Sequence, residues 1–391
     1  MSEINDSFIA AILQAINHSM TLPWMENRIL YYMRIAVNTS RTGLAFTSSN
    51  PSVGCVVVKD GEVVGRGVTG LNGIPHAEEI ALRAAGKSAI GGDLYTTLEP
   101  CTHYGKTAPC VDKIIQSGIK RVYIGINDPD ERVSGRGIEK LRENGIKVVS
   151  NVLKYECFSA NIGYFYRQIL GRPFVILKVA TTLDGKIACS NGKSAWITSA
   201  KMRRIAHKLR AMTTATMVSY STVKCDNPQL DCRLPGLEKE SVKIILDSRA
   251  EIGSAELNLF KNGIVWSFGR KNSFKYRNFF NFECETVEDR VDLLKILHEL
   301  GDMGINSLLV ECGRKLFTSF LKENLFDQIA WFRANKIAGD DAVSLCGDLD
   351  FSDPSAFIKL QKTHEIKIDN ESIDFFSCNP SLRFDDVLRR V

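Results

Sequence analysis

The sequence predicts an α/β protein of two domains. Its 391 residues exceed one ordinary domain and are enough for two hydrophobic cores. Strand and helix patterns alternate over residues 53–150, and the alternation restarts at residue 174. Between the two stretches lies Gly171-Arg172-Pro173, a triplet that breaks regular structure. We therefore expect an N-terminal extension and two domains, over residues 1–28, 29–171 and 172–391.

The first domain opens with a β-hairpin and continues as alternating helices and strands. Two apolar stretches in VGCVVVKDGEVVGRGV (53–68) flank Asp60-Gly61, a dipeptide typical of a two-residue hairpin turn. We expect helices in PHAEEIALRAAG (75–86), PCVDKIIQSG (109–118), GIEKLRENG (137–145) and YECFSANIGYFYRQILG (155–171). Further strands are expected in DLYTTLE (93–99), RVYIGI (121–126) and KVVS (147–150). This pattern predicts an α/β sandwich of about five strands.

The second domain repeats the alternation on a larger scale. We expect strands in FVILKVA (174–180), TATMVSY (214–220), VKIILDS (242–248), GIVWSF (263–268), SLLVECG (307–313), DQIAWFRAN (327–335) and SIDFFSC (372–378). Helices are expected in AKMRRIAHKLRA (200–211), EDRVDLLKILHEL (288–300) and RKLFTSFLKENL (314–325). The order predicts a second α/β unit.

Composition favours a soluble enzyme that acts on small molecules. Apolar residues make up 44% and charged residues 24%, as in ordinary globular proteins. The net charge of +5 comes without a long basic run, so we expect no nucleic-acid partner. No stretch approaches the roughly 20 apolar residues of a membrane span, and the acidic start MSEINDSF does not resemble a secretory signal. Eleven cysteines without framework spacing indicate reduced thiols in the cytoplasm.

A zinc site is predicted from one histidine and two cysteines. His76 opens a predicted helix, and Cys101 and Cys110 each follow a proline. A catalytic zinc site has three protein ligands and one open position, and imidazole and thiolate are ligands that zinc prefers. Glu78 lies two residues after His76, about 200° further around a helix, so we expect it to face away from the imidazole and move protons. A capping histidine and buried cysteines are the structural alternative.

The segment between the two cysteines is longer than in the usual zinc-deaminase signature. That signature spaces its cysteines C-x-x-C, whereas eight residues, THYGKTAP, separate Cys101 from Cys110. An enlarged loop at a metal site is placed to contact substrate. His103 and Lys106 are the candidate donors to a phosphate or carbonyl group, and surface solvation is the alternative.

The second domain contains polar residues at predicted strand and helix ends. It lacks G-x-G-x-x-G, so its sequence pattern alone does not indicate a nicotinamide cofactor. Ser194 and Trp196 precede a helix whose Arg204 and Arg210 could bind phosphate. In VECGRKL a strand ends at Glu311, which suits a substrate hydroxyl, and the following helix N-terminus could bind a cofactor phosphate.

At this point the sequence resembles the bifunctional riboflavin-biosynthesis deaminase/reductases. The resemblance covers about residues 30–345 and lies in NPSVGCVVV, PHAEEIALR, TLEPCTHYGKTAPC, DPDERVSGRGI and RPFVILKVATTLDGKIACSNGKSAWIT. It implies a cytidine-deaminase-like first domain and a dihydrofolate-reductase-like second domain. It further implies zinc-dependent deamination of a diaminopyrimidinone ribosylamino phosphate, then NADPH-dependent reduction of its ribosyl group to ribityl. We also expect a homo-oligomer.

The resemblance assigns residues in both halves. In the deaminase, Asn50, Lys106 and Asp128 correspond to substrate contacts, and the position of Asp130 is usually asparagine in the family's motif. In the reductase, the implied substrate contacts are Ser194, Arg210, Leu230, Arg233 and Glu311. The implied cofactor contacts are Ala180, Trp196, Thr222, Asp226, Ser248 and Gly313. Ser219-Tyr220-Ser221 and Cys312 stand where the family has glycine, which predicts a narrower cofactor pocket.

Two other functions remain open at the level of sequence. One is a zinc deaminase of a nucleoside or polynucleotide base with a non-reducing accessory domain, for which a basic, aromatic groove is expected. The other is a non-catalytic scaffold that keeps a structural zinc. Structural sites are usually closed by four ligands, and only three candidates and a glutamate are found here.

Overall fold

The protein was analysed as a computed structural model that describes residues 24–44, 46–105, 108–194, 196–237, 239, 242–378 and 387–391. The chain forms two compact units, and the division falls between Leu170 and Gly171. Residues 387–391 group with the first unit, where Val387 and Leu388 are buried. The sequence predicts that these residues belong to the second domain. Burial of the apolar side chains of Val387 and Leu388 accounts for their grouping with the first unit instead. Residues 1–23 of the predicted N-terminal extension lie outside the described residues.

Ten α-helices occur in the described residues: α1 (Trp24–Arg41), α2 (Ala77–Ala85), α3 (Cys110–Gln116), α4 (Arg136–Glu143), α5 (Lys154–Ala160), α6 (Ile162–Leu170), α7 (Ala200–Met212), α8 (Tyr220–Asp226), α9 (Leu293–Asp302) and α10 (Arg314–Lys322). The strands of the first unit are β1 (Gly54–Lys59), β2 (Glu62–Val68), β3 (Asp93–Leu98), β4 (Arg121–Ile126) and β5 (Lys147–Val149).

The strands of the second unit are β6 (Phe174–Thr181), β7 (Lys186–Ala188), β8 (Ala215–Ser219), β9 (Val242–Asp247), β10 (Ile264–Gly269), β11 (Phe279–Glu283), β12 (Thr286–Val287), β13 (Arg290–Val291), β14 (Ser307–Glu311), β15 (Gln328–Arg333), β16 (Val343–Ser344), β17 (Leu360–Ile368) and β18 (Glu371–Cys378).

The first unit contains one five-stranded sheet in the order β2-β1-β3-β4-β5. β1 pairs antiparallel with β2 and β3, whereas β4 pairs parallel with β3 and β5. Asp60 and Gly61 turn the β1–β2 hairpin with φ of 50° and 88°, the left-handed pair of a tight hairpin turn. The predicted hairpin and five-stranded sheet are confirmed. Because β3 and β4 are parallel, the loops that follow them meet at one edge of the sheet.

Two glycines of β2 bring α2 against the sheet. A Cβ on Gly65 would lie 2.2 Å from the carbonyl oxygen of Ala81, and one on Gly67 would lie 2.2 Å from that of Ala77. No side chain other than hydrogen fits such an approach. The glycines therefore hold α2, and the residues at its start, directly over β2.

The second unit contains a nine-stranded sheet in the order β11-β10-β9-β8-β14-β6-β15-β18-β17. The seven strands from β11 to β15 in this order pair in parallel, and β18 and β17 pair antiparallel at one edge. Helices α9 and α10 cover one face through a buried apolar core. Near the start of β6, Arg172 and Asp327 form a buried ion pair with bonds of 2.7 and 2.8 Å, and Asp327 also accepts the N–H of Val175.

Helix α9 begins later than the sequence predicts. Residues 286–291 instead form the β12–β13 hairpin, with Glu288 and Asp289 at positive φ in its turn. The side chain of Asp292 then accepts a hydrogen bond from the N–H of Lys295 and caps the helix. The predicted start at residue 288 is wrong because the turn and the cap fix a later one.

Eight elements were not predicted, namely α1, α8, β7, β11, β12, β13, β16 and β17. Helix α1 packs against strands β1 to β4 of the first sheet, and its Met33, Ala36 and Val37 are buried. Within the part of the chain that the structure describes, no helix is both long and apolar enough to cross a membrane.

Candidate active sites

Three potential zinc ligands meet at one edge of the first sheet. His76 precedes α2, Cys101 lies in the loop after β3, and Cys110 is the first residue of α3. Nδ1 of His76 lies 3.2 Å from Sγ of Cys110 and 3.5 Å from Sγ of Cys101. A nitrogen and a sulfur bound to one tetrahedral zinc ion lie roughly 3.5 Å apart. The donor set and its spacing therefore fit zinc.

Local hydrogen bonding favours the thiolate form of Cys101. Its sulfur accepts a hydrogen bond from the backbone N–H of Cys110 at 3.4 Å. Hydrogen bonding from the Cys110 thiol, and then from His76, holds the pKa of Cys101 well below its usual range. Thiolate is the form that binds metal.

Glu78 lies beside these three residues but is not one of the clustered potential ligands. Its side chain is buried, and its Oε1 accepts a hydrogen bond from the hydroxyl of Thr96 at 3.2 Å. Burial raises its pKa, although His76 nearby lowers it in part. A carboxyl group in this environment can hold and release a proton.

A cavity of about 350 Å³ opens beside the three potential zinc ligands. Its lining includes His76 and Glu78 together with three predicted substrate contacts, namely Asn50, His103 and Asp128. Among the described residues, the buried Nδ1 of His103 has no hydrogen-bond partner, so a ligand in the cavity could supply one. Lys106 lies outside the described residues.

The wall formed by residues 128–138 contains polar side chains that the sequence patterns did not single out. The hydroxyl of Tyr164 donates to Oδ1 of Asp128 at 2.8 Å, and burial raises the pKa of Asp128 to about 6. Asp130 and Arg132 form an ion pair that also lines the cavity. Tyr164 could have been suspected only from its position in an apolar helix.

In the second unit, Arg210 and Glu311 form an ion pair. Nε and Nη2 of Arg210 donate to the two carboxylate oxygens of Glu311 at 2.5 and 3.0 Å. Burial opposes ionisation, but Arg210 lowers the pKa of Glu311 to about 2. Lys178 is the β6 residue in register with Glu311, and burial lowers its pKa. Lys178 could have been suspected from the sequence, because it is the one charged residue in the apolar stretch FVILKVA.

The loop from residue 227 to 233 lies against α7. Arg210 donates to the carbonyl oxygen of Asp231, and Arg233 pairs with the carboxylate of Asp231 at 3.1 Å. Asp231 therefore connects Arg233 to Arg210. Leu230 is buried in a hydrophobic cluster, so its side chain serves the core.

A larger cavity of about 960 Å³ lies where β8 and β9 end. It is lined by Ser248 and by Ser219, Tyr220 and Ser221. The first residues of α10 also line it, and the N-cap Gly313 makes no side-chain capping bond. Backbone N–H groups at a helix start can bind a phosphate, and a cavity of this volume has room for a ligand of cofactor size.

The remaining predicted residues lie in three places. Thr222 hydrogen-bonds with Ser219 at 3.3 Å, and its hydroxyl lies 3.8 Å from where a Cβ on Gly313 would be. Ser194 donates to Asp226 at 3.1 Å. Trp196 is exposed and stacks on Arg203, and Ala180 lies on β6 in register with Phe332. No described contact brings Trp196 or Ala180 to the other predicted cofactor residues.

Comparison with known proteins identifies both units. The family model "Cytidine and deoxycytidylate deaminase zinc-binding region" matches residues 26–126, and "RibD C-terminal domain" matches residues 173–373. The riboflavin biosynthesis protein RibD of Aquifex aeolicus is 40% identical over 347 residues, which cover 88% of this chain and 97% of that protein. The chain belongs to the RibD family.

Relatives and solved structures of the RibD family agree with this assignment. RibD of Escherichia coli is 36% identical and covers 81% of this chain and 90% of its own length. The structure of the Thermotoga maritima diaminohydroxyphosphoribosylaminopyrimidine deaminase/5-amino-6-(5-phosphoribosylamino)uracil reductase superposes with a TM-score of 0.82 at 36% identity, covering 90% of this chain and 99% of that one. Acinetobacter baumannii RibD gives a TM-score of 0.80 at 28% identity, with the same shares covered.

The RibD family carries the deaminase and reductase domains that the sequence predicted. The first unit is cytidine-deaminase-like, the second is dihydrofolate-reductase-like, and the chain is a bifunctional enzyme of riboflavin biosynthesis. Zinc and NADPH are the cofactors that fit these domains.

One departure from the RibD glycine pattern does not narrow the cofactor cavity. Cys312 packs against the hydrophobic core, its thiol donates to the carbonyl oxygen of Val310, and it is not among the residues that line the cavity. Cys312 therefore does not narrow this cavity, and the narrower cofactor pocket stays a prediction. Ser219, Tyr220 and Ser221 do line the cavity.

Proposed function

We propose that this chain catalyses two successive steps on one pyrimidine. The first removes an amino group hydrolytically from 2,5-diamino-6-(ribosylamino)-4(3H)-pyrimidinone 5′-phosphate. The second uses NADPH to reduce the ribosyl group of the product to ribityl. The observation that carries the proposal is the clustering of His76, Cys101 and Cys110 beside Glu78 in a unit joined to a reductase domain.

In the deamination, each residue at the zinc site has a separate role. His76, Cys101 and Cys110 would hold zinc, which when bound supplies Lewis acidity that makes water a nucleophile at neutral pH. Glu78 takes a proton from the attacking water and delivers it to the departing amino nitrogen. The hydroxyl of Thr96 orients the Glu78 carboxyl group through their hydrogen bond.

Substrate binding in the first unit is assigned to the cavity wall. Asn50 and His103 provide hydrogen-bonding groups at the cavity, and Asp128 is oriented by Tyr164. Lys106 belongs to the same proposal through its place in the segment THYGKTAPC. These residues position the pyrimidine and ribose against Glu78.

In the reduction, the charged groups on β6, β14 and α7 bind the substrate. NADPH supplies a hydride when bound. Arg210 keeps Glu311 ionised and fixed, so that Glu311 can accept a hydrogen bond from a ribosyl hydroxyl. Ser194, Leu230 and Arg233 complete the proposed substrate site.

The cofactor-binding groups proposed for this step are Ala180, Trp196, Thr222, Asp226, Ser248 and Gly313. The cavity at the ends of β8 and β9 supports the assignment of Ser248, which lines it, and of Gly313, which precedes the helix whose first residues line it.

A coupled assay tests the proposal. Zinc-loaded protein should convert the diaminopyrimidinone phosphate to a product one mass unit heavier, since =O replaces =NH in net terms. With NADPH present, that product should be reduced and the absorbance of reduced nicotinamide should fall. Deamination without any NADPH oxidation would contradict the second half, and absence of deamination would contradict the first.

We also propose that the enzyme is cytoplasmic, acts as a homo-oligomer and has no nucleic-acid partner. The cytoplasmic location is supported by the cysteines, because the ten whose side chains are described are all free.

A further inference from the structure

The Asp130–Arg132 pair is a feature of the deaminase cavity that the proposed mechanism does not use. Both residues line the cavity that contains Glu78 and His76. Asp130 therefore places a negative charge at the wall of this cavity. A carboxylate there would repel a phosphorylated substrate unless its charge were cancelled.

The structure cancels that charge with Arg132. Nε of Arg132 lies 2.9 and 3.1 Å from the two carboxylate oxygens of Asp130, and Nη2 lies 2.5 Å from one of them. The backbone N–H of Arg132 donates to the same carboxylate at 2.9 Å. Hydrogen bonding to Arg132 lowers the pKa of Asp130, so the pair is ionised and held in a fixed geometry.

The pair does not serve folding to any large extent. The Arg132 side chain is 69% exposed and that of Asp130 is 16% exposed, and ion pairs in such positions contribute little to stability. Among the described residues no hydrogen bond is made by Nη1 of Arg132. A guanidinium offers five N–H groups, so Arg132 can bind Asp130 and still donate to an anion.

The backbone fixes where this pair points. The N–H of Asp130 donates to Oδ1 of Asp128 at 3.0 Å, and that oxygen also accepts the hydroxyl of Tyr164. The pair is thus tied to a buried residue of the proposed substrate site. A group held in this way can select a ligand rather than only solvate the surface.

We propose that Asp130 and Arg132 act as one unit that determines specificity for the phosphate of the deaminase substrate. Arg132 donates to the phosphate, and Asp130 orients Arg132 while its own charge is cancelled. The inference rests on the proposed function, since it assumes a phosphorylated substrate at this site.

A double-mutant cycle tests the inference. The proteins are wild type, Asp130→Asn, Arg132→Met and the double variant, each loaded with zinc, and the measurement is KM for the phosphorylated substrate and for its dephosphorylated form. Arg132→Met should raise KM for the phosphorylated substrate by about tenfold or more, the scale of a hydrogen bond to a charged group. Arg132→Met should raise this KM less in the Asp130→Asn background. In that background the loss of Arg132 no longer leaves a carboxylate at position 130 without a counter-charge. KM for the dephosphorylated form should change little.

Two controls separate this effect from misfolding. Arg142→Met removes an exposed arginine of α4 that does not line the cavity, and it should leave KM unchanged. NADPH oxidation with deaminated substrate should be equal in all variants. An unchanged KM in Arg132→Met, or the same increase with and without Asp130, would overturn the inference.

A binding measurement keeps the inference testable if wild type does not turn the substrate over. The same four variants would be made in an Arg233→Met background, which weakens the proposed reductase site, and titrated calorimetrically with ribose 5-phosphate. Weaker binding in Arg132→Met, with partial recovery in the double variant, would support the phosphate contact while the proposed reaction fails. Equal binding in all four would overturn it.

Discussion

Glu78 and His76 reach the same cavity although they are only two residues apart. The sequence expectation that they face away from each other assumed that both were helical. His76 is instead the N-cap of α2 and has an extended backbone, with φ −69° and ψ 156°. Helical rotation therefore does not separate the two side chains, and both line the cavity. The rotation of about 200° expected for two helical residues therefore does not apply to this pair.

The Glu78→Gln variant should retain zinc and lose deaminase turnover. The amide keeps the shape of the side chain but cannot take up a proton, so turnover should fall roughly 10²- to 10⁴-fold. Elemental analysis and the deaminase assay measure the two quantities. Cys110→Ser is the matched comparison and should lose most of its zinc. Loss of zinc from Glu78→Gln would mean that the glutamate is a ligand.

Among the elements, the loop between β4 and α4 depends on one buried carboxylate. Glu99 follows β3 directly and accepts the backbone N–H groups of Asp128, Gly135, Gly137 and Ile138 at 2.9 to 3.4 Å. Glu99 is 2% exposed. It therefore connects the segment that contains Cys101 to the wall that contains Asp128. An anion at the start of α4 is also favoured by the helix dipole.

Replacement of Glu99 by glutamine should loosen this loop. The amide has one accepting oxygen, and its NH₂ group would face N–H donors. Hydrogen bonds to a charged group contribute about 1.5–3 kcal/mol, so the midpoint of thermal unfolding should fall by roughly 4 °C or more. KM for the deaminase substrate should rise while the zinc content stays the same. Glu139→Gln, an exposed change on α4, is the control, and equal melting curves for the two variants would refute this role.

These residues show what could be read from the sequence. The cluster of potential zinc ligands was predictable because few side chains bind zinc and their neighbouring prolines and helix starts are visible locally. The strands were predictable from apolar runs bounded by glycine. The roles of Glu99 and Arg132 were not predictable, because their hydrogen-bond partners depend on the conformation of the loop 128–138. Helix α1 was not predicted, because it lies before the alternating strand and helix patterns of residues 53–150.

For the whole molecule, the two sheets are confined to separate units. A change at one site should therefore leave the chemistry of the other intact, because independent units respond separately. The family comparison likewise matches the two units with two different models.

Asp226→Ala tests this independence. Asp226 accepts a hydrogen bond from Ser194, and both are proposed to bind ligands of the reductase. The variant should oxidise NADPH more slowly with deaminated substrate and should deaminate at the wild-type rate. Cys225→Ser, an exposed neighbouring change, should affect neither step. A parallel loss of both activities would show that the units are coupled.

The buried pair of Arg172 and Asp327 decides where the reductase half can be separated from the rest of the chain. The RibD family model begins to match at residue 173, one residue after this arginine. A truncated protein that starts there would keep Asp327, which is 2% exposed, and lose the guanidinium that neutralises it. Removal of one partner of a buried ion pair costs about 3–5 kcal/mol, a large share of the stability of an ordinary domain. Expression of the reductase alone should therefore begin upstream of Gly171, with Arg172 retained.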